Sequence, residues 1–445
     1  MQLKKYVAIT LSLFFISNVL IVNGTAEKAI TTFSHGRTLY VDDNADPSWY
    51  NETNFKRIQE ALDNADSNDT VFVYHGTYYE NNVIVDKKIN LIGENKNSTL
   101  IDVQGSYKGV RIYADEVFFS GFTLRNNTYA FDYWYNSLLE INKSSHVVIK
   151  DNIFINNHRT EKPKNICGIC ILQSKNCLLR SNQFSDCNIL MYYLDYLDGF
   201  KSNLSYYLHD IDTSNTANGK PILYIKNRDH VDVPSDAGQV ILVNCSYCRI
   251  ANQVITNVTN TIELFYSDHN IIENNYIKGC LQGFWTEYAN YNTFRNNVFQ
   301  NTSCSMWLSF SDYNLFTKNI FVMITIEQKS KFNIFTSNQF YPNAGEKGFS
   351  IQLDDSDYNV FSKNNIYSRG LVTIKVWGKC RNTVWNNNYW DKWIGLNHKL
   401  LEIFPKIIIG WQRSLYDSFL HIPKKINFPS YLLADLNPAK EPHTM

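Results

Sequence analysis

The chain has 445 residues, with 42 Lys and Arg against 42 Asp and Glu, and so no net formal charge. That balance speaks against a general nucleic-acid partner, which would need a basic excess to meet the phosphates. Length alone allows two or three domains, but a repeat solenoid runs this long as one unit, and 29 Tyr with 27 Phe suit strands, where flat rings pack on a pleated surface.

Residues 1–26 read as a signal peptide: Lys4 and Lys5 precede an apolar run from Tyr6 to Val22, and Gly24-Thr25-Ala26 offers small residues for cleavage. An uncleaved membrane anchor is the alternative, since the run is nearly long enough to span a bilayer. Asn-x-Ser/Thr acceptors at Asn51, Asn68, Asn97, Asn126, Asn142, Asn203, Asn244, Asn257 and Asn301 permit surface glycosylation. Both features point to a secreted or cell-surface protein.

Residues 36–105 are expected to form an N-terminal cap and the first coils. Phe55, Ile58, Leu62 and Ala65 make a helical stripe with Thr53 or Asn54 as N-cap, and strands follow at Val71–Tyr74 and Asn82–Ile92. From 106 to 390 the expectation is a series of coils. Phe122, Asn152 and Asn182 are spaced by 30, and Gln253 occupies an equivalent position further on. The stretch 189–238, rich in Tyr and Asp and carrying the turn signal Asn218-Gly219-Lys220-Pro221, is expected to leave the spiral and pack beside it.

The clearest repeat follows. The anchors Asn275, Asn297, Asn319, Asn338, Asn364 and Asn387 are separated by 22, 22, 19, 26 and 23 residues. Three residues before them stand Ile272, Phe294, Phe316, Phe335, Phe361 and Val384, and five before stand Asn270, Asn292, Asn314, Asn333, Asn359 and Asn382. Six before stand His269, Tyr291, Tyr313, Phe332, Tyr358 and Arg381. A period near 22 with alternating apolar positions is too short for a propeller blade and lacks a helical stripe or a leucine ladder. It predicts an all-β fold, a single right-handed parallel β-helix, with Phe filling the bore and stacked Asn at the bends taking the left-handed conformation and passing amide hydrogen bonds between coils. Residues 391–445, apolar from Leu396 to Leu420 and then broken by prolines, are expected to form an irregular C-terminal cap, or else a membrane-surface or partner-binding segment.

The register also assigns faces. Eleven before the anchors, Leu264, Leu308, Leu353 and Val376 point inward, with Thr286 as a polar exception. The short coil breaks register by one, so Ile326 points inward and Glu327 outward. The outward neighbours form a strip containing Glu263, Trp285, Glu287, Trp307, Glu327, Asp354 and Trp377. Indole faces stack on sugar rings and carboxylates accept from hydroxyls, so the strip is a candidate for binding polysaccharide or cell-surface glycan. The alternative is that it packs under the excursion. Glu263 and Glu287 in adjacent coils are the candidate pair for hydrolysis.

Nine cysteines cannot all pair internally. Cys177 and Cys248 share a register position and are a candidate disulfide if their coils are neighbours. The pairs Cys167/Cys170 and Cys245/Cys248 have C-x-x-C spacing, but strand alternation would turn each pair to opposite faces, against zinc. No clear ligand cluster supports calcium or copper. His146 and His269 share a register position but lie several coils apart.

The repeat, together with Thr38-Leu39-Tyr40-Val41-Asp42-Asp43, Asn218-Gly219-Lys220-Pro221, Ala237-Gly238-Gln239-Val240 and the ending Asn388-Tyr389-Trp390-Asp391, resembles the archaeal secreted β-helix proteins of the NosD type, in the broader pectate-lyase-like class. The resemblance implies the fold. For function it implies a range: lyases, hydrolases, epimerases, binding proteins or copper-site maturation factors. The chain shows no Gly-His-Gly with paired Asp and no Asp-Pro-His-Asp, and Asp354-Asp355 is a lone acidic pair.

Overall fold

The computed structural model describes residues 36–106, 108–127, 136–156, 166–192, 202–343, 350–367, 374–377, 380–391, 406–410, 431–435, 439 and 442–444. Two compact units are distinguished, Met1–Gly36 and Arg37–Met445. The leader expected at 1–26 lies outside the described residues.

The second unit is a parallel β-helix, right-handed as parallel crossover connections are. Each coil contributes short strands to stacked sheets. Asn260–Phe265, Ile271–Glu273 and Tyr276–Lys278 pair in parallel with Gln282–Glu287, Thr293–Arg295 and Val298–Gln300 of the next coil. In-register stacking puts like on like. Phe294, Phe316, Phe335, Phe361 and Trp385 form one column in the bore, with ring centroids 4.7, 4.3, 4.8 and 4.2 Å apart. All five are buried.

The asparagines do what their side chains allow: one oxygen accepts and one amide donates. The backbone and side-chain N–H groups of Asn275 both donate to Asn297 Oδ1, at 3.1 and 2.9 Å, and Asn297 repeats this toward Asn319. A second ladder runs alongside it through Asn270, Asn292, Asn314, Asn333 and Asn359. The structure corrects two details. The left-handed backbone belongs to the residue before each ladder asparagine, such as Asn274 (φ 54°), Asn296 (φ 54°) and Tyr291 (φ 56°), and not to the ladder residue itself. The two jobs conflict, because a side chain committed to the interior sits on ordinary backbone while its neighbour takes the turn. The last anchor is Asn388, not Asn387: it accepts from Asn364, and Trp385 rather than Val384 enters the bore.

The excursion is shorter than expected. Ile189–Tyr192 still pairs with Ile166–Leu172, and Asp210–Ile211 and Thr216–Ala217 rejoin the sheets of the preceding coil. Asn215, unforeseen as an anchor, accepts from Asn182. His209 stands in the second ladder, its Nδ1 accepting from the Cys177 N–H at 3.2 Å, and burial lowers it to about 4. The chain then turns sharply at Asn218-Gly219, both with positive φ, where Thr216–Ala217 meets Lys220–Lys226 in antiparallel pairing. Two of the sheets end at this junction and two others begin beyond it. A 14-stranded sheet runs through it.

Near the start, the helix Ile58–Asn64 buries Ile58, Ala61 and Leu62. Its N-terminus differs from expectation. Asn54–Phe55 is a strand beside Tyr40–Val41, and the first helical N–H groups, of Ile58 and Gln59, are met by the Glu80 carboxylate at 2.7 and 3.1 Å. A distant carboxylate satisfies the orphan donors and the helix dipole as well as a local cap would. At the other end, Asp435 takes the N–H and side-chain amide of Asn388 and the indole N–H of Trp390.

Candidate functional site

The strip lies on the strands that open each coil. Glu263, Trp285, Trp307, Thr325, Gln352 and Lys375 stack in one column, and Phe265, Glu287, Ser309 and Glu327 in the next. Asp354 pairs with the backbone of Trp377, whose side chain lies outside the described residues. The inward register holds too: Leu264, Leu308, Ile326, Leu353 and Val376 are buried beneath it.

Within these strands the register skips Thr261, Gly283 and Ser305, and in the earlier coils Leu138 and Gly168. This is a bulge repeated coil after coil. Glycine marks it: a Cβ on Gly109 would lie 2.0 Å from the Leu138 carbonyl oxygen, and one on Gly283 2.4 Å from that of Ser305. The skip reverses the alternation, so Asn260 shares a face with Glu263. Glycines within otherwise regular strands were the available signal, and the alternation rule passed over it.

The lower half of the strip is covered, which corrects the expectation of an open surface. Glu263, Trp285 and Glu287 are buried, as is Glu327 further up. Tyr192 sets its ring edge-on to Trp285 at 5.5 Å. Tyr207 stacks on Phe265 at 4.3 Å, and its hydroxyl hydrogen-bonds Glu287. Gln239 and Asn260 donate to Glu263 at 2.7 and 3.1 Å, and Gln239 also clasps both backbone groups of Ile189. Glu263 and Glu287 thus hold the excursion against the coils and do not form an accessible acid pair.

Burial lifts Glu263 from 4.5 to about 8, against the lowering pull of the two amides. Folded, it keeps a proton that the unfolded chain loses near its ordinary value. Its stabilising contribution is therefore full below about pH 4.5 and is lost as the pH rises through about 8. Glu263→Gln removes that dependence. In urea denaturation the variant is expected to match the native protein at about pH 4.5 and to exceed it at about pH 8.5. Parallel pH profiles would refute the assignment.

The upper half is open. Trp307, Gln352, Asp354 and Lys375 are part-exposed. Trp307 stacks on Trp285 at 5.7 Å by one face. The next residue of its column is the shorter, buried Thr325, which breaks the run of indoles. Asp354 is raised to about 6 by burial and by the charge of Asp355, so it is mostly a carboxylate at neutral pH.

A further surface escaped the face assignment. His230, Tyr247, His269, Tyr291, Tyr313, Phe332 and Tyr358 stack along one corner at 4.9–5.2 Å, each with positive φ. The rings cover one another's faces and show solvent their edges.

The candidate disulfide is corrected. Cys177 and Cys248 are not bridged to one another. Cys177 neighbours His209, while Cys248 donates its N–H to Asn270 and points its thiol at the Arg228 carbonyl, so further coils stand between the two. Among the described residues no group of three or more His, Cys, Asp or Glu side chains could hold a metal ion. Among them no helix is long and apolar enough to cross a membrane.

The family model described as periplasmic copper-binding protein (NosD) matches residues 211–392. The described side chains in that span form no such metal cluster, so they do not fit a copper centre of three or more of these ligands. Among curated proteins none matches the chain. Similar solved structures include the catalytic domain of a GH87 α-1,3-glucanase in complex with tetrasaccharides (11% identity, TM-score 0.35, 83% of this chain and 66% of that one). A PL6 alginate lyase with trisaccharide is another (12%, 0.31, 77% and 87%). A third is the tailspike protein of E. coli bacteriophage HK620 with pentasaccharide (15%, 0.30, 80% and 66%). The chain thus spans slightly under two thirds of the glucanase and tailspike chains, at 66% of each.

Proposed function

We propose that this β-helix protein acts outside the cytoplasm and binds a polysaccharide or glycoconjugate on the open half of the strip. The observation that carries the reading is the break in the aromatic column at Thr325, where Trp307 is part-exposed in a column that continues to the part-exposed Gln352 and Lys375. A sugar ring matches that chemistry. Its apolar face stacks on the indole, and its hydroxyls find an amide, a carboxylate that accepts and an ammonium that donates. The basic and apolar leader pattern and the matched family's periplasmic description support the location.

A glycan array probed with the purified protein tests the reading. Trp307→Ala is expected to weaken the strongest glycan signal at least about tenfold, as loss of a central aromatic anchor does, while Trp307→Phe keeps most of it. Wild-type binding by Trp307→Ala would sink the proposal.

A further inference from the structure

Two C-x-x-C pairs stand outside the strip chemistry, and the fold brings each pair together. Alternation along a strand would turn Cys167 and Cys170 apart. The bulge at Gly168 reverses it: Cys167 lies beside Ser137 and Cys170 beside Glu140, with position 168 skipped in the pairing, so both cysteines fall on one face of the strand. Cys245 and Cys248 sit at a corner, where Tyr247 takes the left-handed turn (φ 57°). Cys245 heads the column that continues as Ser267, and Cys248 the column that continues as Asn270. Both columns belong to the same corner of the coil, with Ser267 and Asn270 stacked on the two cysteines.

We infer that Cys167–Cys170 and Cys245–Cys248 are the sites of two short-range disulfides that form in an oxidising compartment. The chemistry is thiol–disulfide exchange with a small disulfide such as oxidised glutathione. One protein thiolate attacks the reagent's S–S bond and releases one reduced thiol. The second protein thiolate then attacks the mixed disulfide and releases another. Two thiol protons leave, the protein pair is oxidised by two electrons and the reagent is reduced by two. Burial holds the thiols of Cys245 and Cys248 above the usual range, which disfavours the thiolate in the folded state. Bridging is therefore expected while the chain folds, before the corners close. Five cysteines remain: Cys177, Cys187, Cys280, Cys304 and Cys380. Cys187 is the one rival, because its Sγ would lie 3.2 Å from a Cβ placed on Gly168, next to Cys167.

The reduced, denatured protein is refolded in a buffer of reduced and oxidised glutathione, then denatured, alkylated and mapped by peptide mass spectrometry. The expected product has five alkylated cysteines and two bridges, one within 167–170 and one within 245–248. Nine alkylated cysteines after refolding, or a Cys167–Cys187 or Cys177–Cys248 bridge in place of these, would overturn the inference. Cys245→Ser is expected to lose only the second bridge and to leave Cys248 alkylated. If that variant does not refold, the wild-type map decides alone.

Discussion

Asn297→Ala is expected to cost about 4 kcal/mol of stability, among the largest losses from any single truncation in the ladder. The side chain is fully buried and makes four hydrogen bonds. Its oxygen accepts from the Asn275 backbone and side chain at 3.1 and 2.9 Å, and its amide donates to the Ile272 carbonyl and to Asn319 Oδ1, both at 2.9 Å. Alanine leaves partners on both neighbouring coils buried and unpaired, at about 1–3 kcal/mol each before relaxation. The neighbouring Asn296 is the control. It is exposed and holds the left-handed turn, so Asn296→Ala is expected to cost only about 1 kcal/mol of backbone strain. Urea midpoints of the two variants give the comparison. Equal losses would mean that the ladder amides contribute no more than turn geometry. Because the two residues share a bond, Asn297→Ala combined with Asn319→Ala should cost less than the two losses added.

Phe316→Ala is the second large effect, at about 3–5 kcal/mol. The ring is buried and sandwiched between Phe294 at 4.7 Å and Phe335 at 4.3 Å. Stacked coils above and below cannot collapse into the space without giving up their own pairing, so most of the cavity should persist. Tyr313 makes a similar stack, at 5.0 and 4.9 Å, but is 46% exposed. Tyr313→Ala leaves no cavity and is expected to cost about 1 kcal/mol, the usual worth of exposed aromatic contacts. Thermal or urea denaturation separates the two. A loss for Tyr313→Ala as large as for Phe316→Ala would show that the outer column bears stability equally.

The fold was legible because a solenoid writes its structure into the sequence once per coil. A residue type recurring every 22 positions must occupy the same place, so Phe316 and Asn319 announced bore and ladder directly. Register carried as far as the 19-residue coil, where Leu308 opposes Ile326 and Glu327 falls outside as the spacing required. It failed where a single unit breaks the pattern. At Asn387 and Asn388 two adjacent asparagines fit the consensus, and only the partners, Asn364 and Asp435, decide between them. The strip's accessibility was hidden for a different reason. What covers Glu263 and Trp285 comes partly from Ile189, held by Gln239, and from Tyr192, whose spacing from those coils follows no repeat. The Cys167/Cys170 pair depended on a bulge that only the glycines Gly109, Gly168 and Gly283 betrayed.

The anchor ladder runs one way. From Asn275 to Asn388 every link between ladder side chains is donated toward the C-terminus, and Asp435 receives the last two. A chain of amides ended by a carboxylate is complete at any number of links. Whole coils can therefore be gained or lost from its interior without leaving a buried group unmet, whereas a fractional coil cannot. The ladder stays unbroken across spacings of 19 and 26 residues, so what counts for its closure is the number of coils and not the number of residues in each.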